Sequence, residues 1–231
     1  MSRLPPASRH DATLLEITPD RGERFGTGLL SQAAAMIYTL LVVELLVLVT
    51  AGPGLVLPAL LDRDVSNLPL AALCLLPAGP ALSAAIYALH RRRLDLADLH
   101  PATAFVRGYR LNAVGALKVW GLWLLLITLN LAEPGVAQWI VIAVSTVWML
   151  NALVITSLFV FRWRDVARLS AYLLIRSFGV TVGNACLIVV ALAGIWLWSE
   201  AVLALAASLL VLALLGNARP LIGVVRKEFV R

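Results

Sequence analysis

The chain has 231 residues, 61% of them hydrophobic and only 14% charged, with a mean hydropathy of +0.91. That composition excludes an ordinary soluble globular domain and indicates a polytopic membrane protein, with length enough for one membrane domain. The net charge of +6 does not point to nucleic acid, because the basic residues gather at the ends of apolar spans, where they orient a chain in a bilayer.

Residues 1–28 form a polar tail with Arg3, Arg9, Arg21 and Arg24, and Pro5, Pro6 and Pro19 argue against one continuous helix. A short interfacial turn is expected over residues 13–17. No secretory signal is visible, since the first apolar stretch is too long for one. Six apolar spans follow, over 29–51, 68–90, 111–131, 137–161, 179–198 and 201–219. Each is near the ~20 residues needed to cross hydrocarbon. The expected fold is an all-α bundle of six transmembrane helices within residues 29–222, with residues 223–231 as a polar C-terminal tail. Ala132-Glu133-Pro134-Gly135 predicts a tight hairpin between the third and fourth spans, and Ser199-Glu200 another between the last two.

The charges alternate along this frame. Eighteen of the 19 Lys and Arg residues fall in the tails, in the two long connections or just inside the spans beside them, and Arg63 stands alone on the other side. The excess predicts that both termini and both long connections are cytoplasmic. Trp139, Trp196 and Trp198 then fall at the outer interface, a level that indoles prefer. The two basic connections look alike. Asp95-Leu-Ala-Asp98-Leu99 precedes Phe105-Val-Arg107, and Asp165-Val-Ala-Arg168-Leu169 precedes Leu174-Ile-Arg176. Each predicts a short amphipathic helix leading into the next span. A parallel internal repeat and a shared surface pattern both account for the likeness.

The second span is interrupted by Pro77-Ala78-Gly79-Pro80. Each proline removes a backbone donor, and a freed carbonyl in hydrocarbon costs several kcal/mol unless something satisfies it. The break must therefore face protein or an aqueous cavity. Small residues follow, Ala81, Ser83, Ala84 and Ala85, which allow close helix approach. Two readings stand: a packed kink, or a broken helix lining a binding site.

Other polar residues lie inside the spans. Lys118, Asn151, Asn184 and Asn217 fall at similar depth in the inner third, with Asn112 and Arg219 nearer the interface. They predict a polar layer drawn from spans three to six, as interhelical hydrogen bonds or as a ligand site, with Lys118 also free to snorkel. Glu44 is the one acid well inside a span, in the outer half of the first. It is read either as a functional group or as an acid bonded to a neighbouring helix. It is too far from Lys118 in depth for a direct pair. Cys74 and Cys186 sit in spans and predict no disulfide and no metal site. His10, His90 and His100 have no partner at metal spacing, and no nucleophile elbow or phosphate loop occurs, so neither an enzyme nor a cofactor is expected.

These segments carry a resemblance. Gly79-Pro80-Ala81 with Ala84-Ala85, the run Arg91-Arg92-Arg93, and Phe105-x-Arg107-Gly-Tyr-Arg-x-Asn112 are similar to the YesL-like membrane proteins. Asn151-Ala-Leu-Val-Ile-Thr-Ser-Leu-Phe, Asp165-Val-Ala-Arg168 and Asn217-x-Arg219-Pro220 resemble an actinobacterial branch of that family. The resemblance covers about residues 33–228, and the segment over 52–67 is longer than in many relatives. It implies an accessory or regulatory role beside carbohydrate importers of the ATP-binding-cassette type, with their membrane subunits as partners. It supplies no catalytic residues. The alternative is a small solute transporter or channel with a site near the broken second span.

Overall fold

The computed structural model describes residues 29–61, 64–94, 100–133, 135–197 and 205–228. The N-terminal tail, Arg63, Asp95 to Leu99, Pro134, Trp198 and Ser199-Glu200 lie outside the described residues. Among the described residues the chain is all-α with no strand. It divides into two compact units, Met1–Ile37 and Tyr38–Arg231. Of the first, only the opening turns of α1 are described.

Helix α1 (Leu29–Ala59) runs past residue 51, through Pro53, and ends just beyond Pro58. Its Gly54 lies so close to the Cys74 carbonyl that any side chain there would collide. A 3-10 turn (Val65–Asn67) opens the second span. Beside it the Ser66 hydroxyl donates to Asp64 Oδ2 at 2.7 Å and holds that carboxyl below the usual carboxylate range. The span itself is two helices, α2 (Leu68–Leu75) and α3 (Ala78–Leu94), parted at Leu76-Pro77.

Helix α4 (Pro101–Leu131) opens with proline in its first turn, where the missing N–H costs nothing. The amphipathic segment expected in the first basic connection is therefore the first third of a single 31-residue helix. Pro101, Ala104, Phe105 and Gly108 form its buried face. Helix α5 (Val136–Leu158) follows after a four-residue connection. The second basic connection does form a separate amphipathic helix, α6 (Trp163–Arg176), burying Val166, Leu169, Ser170 and Leu173. The Trp148 indole donates to the Ala167 carbonyl at 3.2 Å and ties α6 to α5. Helix α7 (Phe178–Leu197) begins after a break at Ser177, and the Thr181 hydroxyl takes up the freed Leu174 carbonyl at 2.8 Å.

Helix α8 (Ala207–Asn217) meets α9 (Arg219–Glu228) at a bend of 51°. Residues 223–228, expected as tail, belong to α9. Their charges suggest a tail, but Ala218, Leu221 and Val225 recur at helical spacing and are buried against the bundle. Among the described residues five segments are long and apolar enough to cross a membrane, and six if the bent pair α8–α9 counts as one. Large apolar side chains stand exposed along α1, α4, α5 and α7, including Leu45, Leu125, Ile140 and Val189. This outward apolar surface on long apolar helices is that of a multi-pass membrane protein.

Candidate functional site

The proline break is the most tightly engaged polar feature. Pro77 and Pro80 carry no N–H, so the ladder of the second span loses donors here. The remaining bonds are local: Leu76 N–H to the Leu73 carbonyl at 3.2 Å, and Ala81 N–H to the Pro77 carbonyl at 3.2 Å. The Leu75 carbonyl is met from another helix, by the Trp120 indole N–H of α4 at 2.9 Å. Trp120 reaches it by lying flat on Gly79, where a Cβ would collide with its side chain. Gly79 and Pro80 are buried; the Pro77 ring faces outward. An apolar ring tolerates lipid, and the Leu75 carbonyl beside it takes its partner from α4. Ala81, Ser83, Ala84 and Ala85 are wholly buried. Gly108 of α4 faces Tyr87 of α3 closely enough to exclude a side chain.

Ser83 and Ser157 place their hydroxyls 2.7 Å apart. Ser157 spends its own proton on the Leu153 carbonyl at 2.6 Å, which leaves Ser83 as the donor between them. Asn112 Nδ2 donates to the Ser157 carbonyl at 3.0 Å, meeting one of the orphan acceptors at the end of α5.

The asparagines form a chain across three helices. Asn184 Nδ2 of α7 donates to Asn151 Oδ1 of α5 at 2.9 Å, and Asn217 Nδ2 of α8 donates to Asn184 Oδ1 at 2.8 Å. Asn217 also donates to the Val180 carbonyl at 2.9 Å. Gly183 makes this possible, since a side chain there would occupy the Asn217 amide. Asn151 Nδ2 is buried without a partner. The expected polar layer thus gathers residues of the fourth, fifth and sixth spans. Lys118 and Arg219 do not join it. Both are exposed, because their positions around α4 and α9 point them away from the amides.

Glu44 is 8% exposed, and its Oε2 accepts the Ser208 backbone N–H at 2.6 Å. Ser208 lies in the first turn of α8, where amides have no acceptor within the helix, and Ala206 has no side chain to cap them. Glu44 supplies from α1 what an N-cap residue supplies locally. Its Oε1 is buried without a partner.

A cavity of about 760 Å³ adjoins the break. Val47, Ala51, Leu75, Ala78, Leu82, Trp120, Leu187 and Leu214 are among its walls, which are apolar throughout. No polar path crosses it. Among the described residues no group of three His, Cys, Asp or Glu could hold a metal ion.

Sequence reasoning did not single out Trp120, Ser157 or Ser208. Trp120 was findable: an indole in mid-span brings an N–H that needs an acceptor, and the nearest shortage of donors is at the proline break. Ser208 had no signal, because the group used is its main-chain amide. Comparison with family models, curated proteins and solved structures finds no match to this chain.

Proposed function

We propose that the protein is a non-enzymatic accessory or regulatory subunit linked to carbohydrate import by an ATP-binding-cassette transporter of a bacterial plasma membrane. The observation that carries this reading is the use made of the family-like residues. Gly79, Asn112, Asn151 and Asn217 are spent on helix contacts, and none faces an open polar site. A protein whose recognisable residues build only its own scaffold acts through the surfaces that scaffold presents. Both termini lie in the cytoplasm in this reading, so Ser66→Cys is labelled by an impermeant reagent from outside and His100→Cys is not, with Cys74 and Cys186 replaced.

The test is purification of the tagged protein from native membranes. Membrane subunits of a carbohydrate importer are expected with it in near-equal amounts. Their absence, together with solute flux in liposomes holding this protein alone, would overturn the accessory reading. The runner-up, a small transporter, draws on the cavity beside the proline break, but apolar walls suit no polar solute.

A further inference from the structure

Lys118 stands apart from the asparagine chain and lines a second cavity, of about 510 Å³. This one lies on the basic side of the bundle, between α4, α5 and the start of α6. Lys118, Arg162 and Arg164 bring three cations to it. Among the described residues neither Lys118 nor Arg162 has a carboxylate partner, and Arg164 rests on its neighbour Trp163, 5.9 Å from the ring centre. The one acid in the first turn of α6, Asp165, is exposed and pairs with none of them.

Neutral donors converge on the same space. Arg162 caps α6, and the N–H groups of Asp165 and Val166 turn back to its carbonyl at 2.9 and 3.0 Å. Those of Trp163 and Arg164 precede the first possible helical bond and have no acceptor in the helix. From α5 Thr156 closes one wall of the cavity, its hydroxyl buried away from the open space. Gly115 on α4 lets that wall close up, since a side chain there would strike the Thr156 methyl.

Three cations and two free amides around one concavity lack the same thing, an anion with several acceptor oxygens. Arginine forks and main-chain amides match phosphate oxygens in geometry as well as charge. The level is that of lipid headgroups: Lys118 lies roughly 10 Å inside the apolar part of α4 and reaches back along it. Trp163 is 51% exposed beside the opening, as an indole at a membrane interface is. We propose that this pocket binds the phosphate group of an anionic membrane phospholipid. Basic pockets between membrane helices on the positively charged side are suited to such headgroups.

The full-length protein, purified in zwitterionic nanodiscs, would be titrated with phosphatidylglycerol, phosphatidylcholine and inorganic phosphate, reading bound lipid by native mass spectrometry and thermal shift. Phosphatidylglycerol is expected to bind preferentially. The double variant Lys118→Gln/Arg162→Gln should weaken it by roughly tenfold or more, because charge-assisted hydrogen bonds are lost. The double variant Arg168→Gln/Arg176→Gln removes the same charge from exposed positions on α6 outside the pocket. It should weaken binding by about threefold or less, because exposed charges act through screened solvent. Arg162→Lys changes no net charge and should still cost about threefold through the lost guanidinium fork. It decides the matter even if the first double variant does not fold. Equal losses in the two double variants, with none in Arg162→Lys, overturn the proposal and leave only a general surface potential. Stabilisation by millimolar inorganic phosphate as strong as by the lipid overturns it too, in favour of a soluble anion.

Discussion

The two flanks of the bundle are held together by different means. Where α3, α4 and α5 come together, small residues face larger ones: Gly79 against Trp120, Gly108 against Tyr87, Gly115 against Thr156, with Ala81, Ser83, Ala84 and Ala85 buried on α3. Backbones approach closely, and the packing between α3 and α4 is the most extensive in the molecule. Where α1, α7 and α8 face α3 and α5, a cavity of about 760 Å³ with apolar walls stays between them, and single polar contacts such as the asparagine chain join the helices around it. In a bilayer, lipid tails are as apolar as leucine, so burial alone does not draw helices together. Close approach and hydrogen bonds must do it, and they are unevenly distributed.

Substitutions can break or sharpen this contrast. The largest effect is expected for Gly79→Val. Trp120 blocks the new side chain and also holds the Leu75 carbonyl, so the loss should exceed the roughly 1–3 kcal/mol typical of overpacking. The detergent melting temperature should fall steeply; an unchanged one would show that Trp120 is not seated on Gly79. Next comes Ala84→Leu, expected to cost about 1–3 kcal/mol, set against Ala143→Leu on the exposed face of α5, expected to cost little. Equal melting shifts for the pair would remove the distinction between the tight flank and the outer surface.

Asn184→Leu tests the link between the flanks. It deletes two amide bonds and leaves Asn217 only its bond to the Val180 carbonyl, for about 1–3 kcal/mol. Asn217→Ala also deletes two bonds but from a partly exposed position, and should cost less; the reverse order would mean that burial does not set the cost along the three amides. The smallest effect is expected at Glu44. Glu44→Leu removes the acceptor for the Ser208 amide, a capping loss of about 0.5–2 kcal/mol. Glu44→Gln keeps a carbonyl acceptor and should recover most of that in the same melting measurement. If Gln and Leu destabilise alike, Glu44 is not acting as a cap.

Much of this was legible along the chain and little of it around the helices. Apolar length marked the spans, and Pro77 and Pro80 marked the break. Depth grouped Asn151, Asn184 and Asn217 correctly, because rise per residue is constant. Depth also grouped Lys118 and Arg219 with them, and these point elsewhere. Which side of a helix meets a neighbour depends on partners that a local pattern does not name. The buried stripe of α9 was hidden by its charges, and the cap on α8 by its use of a main-chain amide and a residue far away in sequence.

That distance has a consequence for synthesis. Glu44 and Ser208 are 164 positions apart. During vectorial synthesis the acid of α1 is made long before the amide it accepts from, so this contact forms only after the helices between them have been laid down. Until α8 arrives, the Glu44 carboxyl and the Ser208 amide each lack the partner they have in the fold. A bond between an early and a late segment closes late, and it ties the order of synthesis to the order of assembly.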